Sequence, residues 1–84
     1  MAAGTKLFTQ EMAADTVYEI VYQSGDKLDI MNGTAGALSV GYDEDFEQGT
    51  LTIPEGGCYN GLTLNGSSVY LKAESDGQVS IVRV

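Results

Sequence analysis

The 84-residue chain has no histidine and no tryptophan, one cysteine, one proline and four basic residues. Each absence removes a class of activity. Without histidine, the side chain best suited to proton transfer near neutral pH is missing, and so is the commonest metal ligand. A lone Cys58 forms no internal disulfide and no cysteine-based zinc site, and no histidine stands ready to activate it as a nucleophile. No apolar run approaches the roughly 18–20 residues that would cross a bilayer as a helix. The opening Met1-Ala2-Ala3-Gly4-Thr5-Lys6 meets only Leu7-Phe8 before turning polar, which is not the pattern of a secretion signal. Lys6, Lys27, Lys72 and Arg83 are scattered among twelve acidic residues, for a net charge of −8. Phosphate binding requires clustered Lys or Arg, so neither nucleic acid nor an anionic membrane is an expected partner. A neutral or basic protein surface is.

Apolar residues make up 43% of the chain and recur with period two, the pattern of half-buried strands. Tyr18, Ile20 and Tyr22 alternate with Val17, Glu19, Val21 and Gln23. The same alternation carries Leu28 and Ile30, then Leu38, Val40 and Tyr42, then Leu51 and Ile53. It resumes at Leu62 and Leu64, at Val69, Leu71 and Ala73, and at Val79 and Ile81. Turn chemistry separates the runs: Ser24-Gly25-Asp26, Asn32-Gly33-Thr34-Ala35-Gly36, Pro54-Glu55-Gly56-Gly57, Asn65-Gly66-Ser67-Ser68 and Ser75-Asp76-Gly77. The expectation is an all-β fold: a small antiparallel β-sandwich or barrel, Ig-like or jelly-roll-like, with about 7–8 short strands. Residues 1–84 read as one domain. Residues 1–15 are the least strand-like and read as an N-terminal arm, whose Leu7 and Phe8 pack on its own sheet or, less simply, on a neighbouring subunit.

Candidate sites are few. Asp43, Asp45 and Glu47 in the run Asp43-Glu44-Asp45-Phe46-Glu47 alternate as calcium ligands would, but only fragments of an EF-hand pattern accompany them. The simpler reading is a solvated hairpin loop with Phe46 tucked beneath it. Paired carboxylates could serve a hydrolase, yet a chain this short has little room for the cleft that raises one carboxyl pKa. No nucleophile elbow, phosphate-binding loop or HExxH pattern occurs, so no enzyme activity and no cofactor are expected. Five tyrosines (Tyr18, Tyr22, Tyr42, Tyr59, Tyr70) could pack across strands or stack on sugar rings, and Tyr70 is expected to be the most exposed. Cys58 reads as a small buried hydrophobe or an incidental loop thiol. Asn32-Gly33 and Asn65-Gly66 read as turns.

The C-terminal half carries a resemblance. Leu38-Ser39-Val40-Gly41-Tyr42, the acidic interruption, Gly49-Thr50-Leu51-Thr52-Ile53-Pro54, then Val69-Tyr70-Leu71-Lys72-Ala73 and Val79-Ser80-Ile81-Val82-Arg83 follow one another in that order. In spacing this resembles small all-β virion proteins of tailed bacteriophages, of the head-decoration or accessory type. It departs from them in lacking a tryptophan after the charged hairpin. The resemblance implies a non-enzymatic structural protein of a phage particle, located in the virion after assembly in the host cytoplasm, with the major capsid protein as partner. No site residue is carried over; Leu7, Phe8 and Tyr70 are the partner-binding candidates on exposure grounds alone. A homo-oligomer is a further expectation, because so small a core without a disulfide gains from added burial. The rival reading is a carbohydrate-binding or adhesin module of a tail or fibre.

Overall fold

Period-two alternation resolves into eight strands in the computed structural model, which describes residues 7–84. They are β1 (Leu7–Met12), β2 (Val17–Val21), β3 (Lys27–Thr34), β4 (Leu38–Gly41), β5 (Thr50–Ile53), β6 (Cys58–Thr63), β7 (Ser68–Ala73) and β8 (Gly77–Arg83). Their pairing is nested: β1 with β8, β2 with β7, β3 with β6 and β4 with β5, all antiparallel. The chain is therefore one long hairpin, bent at the β4–β5 loop and rolled up. Pairing of β3 with β8 and of β4 with β7 closes the roll into two sheets, ordered β1-β8-β3-β6 and β2-β7-β4-β5. This is the eight-stranded jelly roll, one of the two architectures expected from the periodicity.

The core lies between the sheets. From the first sheet Leu28, Ile30, Val79 and Ile81 face inward, and from the second Ile20, Leu38, Val40, Ile53, Val69, Leu71 and Ala73 do. Met12, Tyr22 and Leu64 complete it from the strand ends. The register aligns these side chains in rows. Phe8, Ile81, Ile30 and Tyr59 cross one sheet. Tyr18, Leu71, Val40 and Leu51 cross the other.

Two local expectations change. The arm proposed over residues 1–15 becomes, for Leu7–Met12, the edge strand β1, paired along its length with β8; residues 1–6 lie outside the described residues. Its Met12 is buried and Phe8 packs on the core, so ladder bonds and burial override a sequence with little β character. Asn32-Gly33 is not a turn. Both residues belong to β3, with Gly33 opposite Gln78 of β8. Glycine is required there because a Cβ would lie 2.6 Å from the Gln78 carbonyl oxygen.

Asn32 itself is 3% exposed. Its amide Nδ2 donates to the carbonyls of Gly36 (2.9 Å), Ile53 (3.0 Å) and Pro54 (3.1 Å). Two protons are thus shared among three acceptors. Its Oδ1 accepts from the Thr34 amide at 3.0 Å and the Thr34 hydroxyl at 2.6 Å. One side chain on β3 in the first sheet so satisfies the end of β5 in the second, together with the turn that leads into β4. An apolar residue of similar size would strand these groups in a dry interior, at about 1–3 kcal/mol for each left unpaired. Asn32→Leu is expected to lower the unfolding free energy by about 2–4 kcal/mol in urea titration. Asn32→Asp should be worse near pH 7 than near pH 4. One oxygen of an ionised carboxylate would keep the Thr34 donors, but the other would be turned on the carbonyls of Gly36, Ile53 and Pro54, and burial there would favour the protonated form.

Candidate functional site

A cleft of about 240 Å³ opens on the side of the roll where β5 and β6 are the unpaired edges of the two sheets. Val40, Gly41 and Tyr42 form its floor, Gln48, Gly49, Thr50 and Leu51 one wall, and Tyr59 and Leu62 the other. Tyr42 follows β4 and its hydroxyl donates to the Thr63 carbonyl at 2.9 Å, tying the floor to the β6 wall. Leu51 and Leu62 are partly buried and continue the core into the opening.

The β6 wall owes its shape to a bulge. Leu62 pairs with Leu28, yet Tyr59 pairs with Ile30, so three steps on β6 match two on β3. Gly61 takes up the extra residue at φ +77°, and its amide donates to Asp29 Oδ1 at 2.8 Å. The bulge turns both Tyr59 and Leu62 inward although they are an odd number of residues apart. At the sheet edge nothing from β5 covers Tyr59 by ladder pairing, and it remains 40% exposed.

The other sequence candidates are dispersed. Leu7 is 67% exposed on the outer face of the first sheet, while Phe8 faces the opposite way and packs on the core. Tyr70 lies on the outer face of the second sheet, between Glu19 and Gly41 in register. It is half-buried, so Tyr59 and not Tyr70 is the tyrosine among the exposed large apolar side chains. Tyr22 is buried, and Tyr18 accepts a hydrogen bond from the Ala13 amide. Cys58 is neither buried nor in a loop: it is the exposed first residue of β6.

The acidic run forms the bend of the long hairpin. Asp43 accepts from the amides of Glu47 (3.1 Å) and Gln48 (3.2 Å) through its two carboxylate oxygens, which closes the loop on itself. Among the described residues no group of three His, Cys, Asp or Glu side chains is placed to hold a metal ion. Phe46 adopts φ +56° and covers Gly41, where a Cβ would lie 2.5 Å from its ring. Gly41→Ala must displace that ring, and is expected to cost about 1–3 kcal/mol in thermal or urea unfolding.

The charges that shift the Tyr70 phenol are of one sign. Loss of hydration, and then Glu19 by its charge and hydrogen bond, with Glu44 and Asp43 behind, raise the phenol above its ordinary 10.0. Glu19 is also bonded by the Ser68 hydroxyl at 2.6 Å. A raised value in the fold means the contribution to stability is complete below about pH 10 and lost as pH climbs through the folded-state value. Burial raises Tyr22 as well, so absorbance titration is expected to show two late-ionising tyrosines, of which Tyr70→Phe removes one.

No protein-family model matches the chain, and no curated protein sequence does. Solved structures do. The crystal structure of PirA is similar over 94% of each chain, with a TM-score of 0.67 at 12% identity. The solution NMR structure of a de novo designed double-stranded β-helix is similar over 95% of this chain and 100% of its own, with a TM-score of 0.64 at 17% identity. At such identities the likeness is one of fold, and the fold is the rolled double-stranded hairpin described above.

Proposed function

We propose that the chain is a non-enzymatic structural protein of a phage particle, a decoration or accessory protein that docks on the major capsid lattice. The observation that carries this reading is a set of exposed apolar side chains on the outer face of the first sheet. Leu7 of β1 stands beside Val82 of β8, and Met31 of β3 stands beside Cys58 of β6, on adjacent rows of the register. Leu7 and Met31 are 67% and 40% exposed. These two apolar pairs sit diagonally to each other, in rows completed by Asp29 and by Ser80 and Thr9. Such exposed apolar side chains within a polar frame are suited to burial against another protein surface. The chain's charge of −8 keeps the remainder soluble and directs it away from packaged nucleic acid. The resemblance of Leu38–Val84 to phage virion proteins supplies the partner class.

Mass spectrometry of density-purified particles is expected to find the chain in many copies per head, and its absence from them would overturn the reading. Leu7→Lys combined with Met31→Lys alters exposed positions and should leave the urea midpoint within about 0.5 kcal/mol of the parent. The same pair is expected to abolish incorporation into particles.

A further inference from the structure

Of the chain's twelve acidic and four basic residues, only Glu55 falls between Gln48 and Leu71. That segment contains both edge strands β5 and β6 and two walls of the cleft, and Glu55 sits in the turn at the far end of β5 from Gln48, Gly49 and Thr50. The bend's Asp43 is turned into its own loop, its carboxylate held by the Glu47 and Gln48 amides, and no charged side chain is among the residues that line the cleft. In a protein of net charge −8, the lining of the cleft is thus uncharged, with the nearest acids, Asp43 and Glu47, at the bend behind Gln48.

Its chemistry is mixed in a particular way. Tyr59, Leu51 and Leu62 offer aromatic and aliphatic surface, and Gln48, Thr50 and the Tyr59 hydroxyl set amide and hydroxyl groups around it. At about 240 Å³ it is smaller than the roughly 300–1,000 Å³ pockets that enclose drug-sized ligands. A purely apolar ligand would displace water from the Gln48 side-chain amide without replacing its hydrogen bonds. The Thr50 hydroxyl, which donates to the Phe46 carbonyl at 3.2 Å, has acceptor capacity to offer, and an anion would find no countercharge. A pyranose ring matches both parts: its C–H face lies on an aromatic ring while its hydroxyls exchange hydrogen bonds with amides and hydroxyls. We infer that the β4–β5–β6 cleft binds a single uncharged sugar ring, with Tyr59 as the stacking platform and Gln48 and Thr50 as the polar rim.

The test is an amide-resolved NMR titration of the whole chain with glucose, galactose, mannose and N-acetylglucosamine, and with sialic acid as the charged control. It is done on the free protein, so its outcome is independent of capsid docking. At least one neutral sugar is expected to give saturable shifts in the millimolar range, confined to Gln48–Leu51, Tyr59 and Leu62, and sialic acid none. Tyr59→Ala changes an edge-strand residue and is expected to weaken binding by about tenfold or more with the rest of the spectrum retained. Gln48→Ala, in the loop, gives a second variant that does not touch a strand and should also weaken it. The inference is overturned if none of the neutral sugars gives a saturable shift, if the shifts map elsewhere, or if both variants bind as the parent does. It is equally overturned if cyclohexanol fills the cleft and the sugars do not.

Discussion

The amide of Asn32 holds the two sheets to each other inside the core by hydrogen bonds, as the Tyr42 hydroxyl does with the Thr63 carbonyl at the cleft. A jelly roll has hydrogen bonds in plenty within each sheet, but across the core its layers meet chiefly through close-packed apolar side chains. Asn32 reaches from β3 to the carbonyls at the end of β5 and to the turn before β4, and its own oxygen fixes Thr34. Because the surroundings are dry, each bond is worth most when all are made, and a partial set would be worse than none. The side chain therefore sets the relative position of the layers. Its backbone amide adds a bond to the Gly57 carbonyl at 2.9 Å, in the turn just before β6.

The nested pairing explains how charge comes to be distributed. One hairpin rolled into two sheets leaves four edges, β1 and β6 in one sheet and β2 and β5 in the other. On the β1–β2 side each edge carries an acid, Glu11 or Glu19, which discourages another strand from pairing there. On the β5–β6 side neither strand is charged. The protection there is geometric: β5 is four residues long, and β6 is bent by its bulge at Gly61. The bend that joins β4 to β5 holds the densest acids in the chain and uses Asp43 to fold itself. Those acids are therefore better read as the chemistry of a sharp reversal than as a metal site.

Where side chains alternate strictly, the sequence was a good guide. Leu28 and Ile30, Leu38 and Val40, Val69 and Leu71, and Val79 and Ile81 are all buried as their period implied. What could not be read was anything that depended on register. Asn32-Gly33 looks like turn chemistry, and only the approach of the Gln78 carbonyl shows why a glycine stands in a strand. Leu7–Met12 has no alternation strong enough to name a strand, and is held as one by pairing with β8. Tyr59 was hidden for a sharper reason: the bulge breaks the period between it and Leu62, so counting by twos from Leu62 places Tyr59 on the wrong face. Asn60-Gly61 inside an otherwise strand-like run was the signal for that bulge.

The dependence of the layers on Asn32 is tested most directly by the behaviour of its side-chain amide in solution. Triple-resonance NMR can detect hydrogen-bond couplings from Asn32 Nδ2 to backbone carbonyls and the rate at which its protons exchange with water. Couplings to the carbonyls of Gly36 and of Ile53 or Pro54 are expected, with exchange far slower than for an amide in solvent such as that of exposed Asn65. An Asn32 amide that exchanges as fast as that of Asn65 and shows no such coupling would contradict the account.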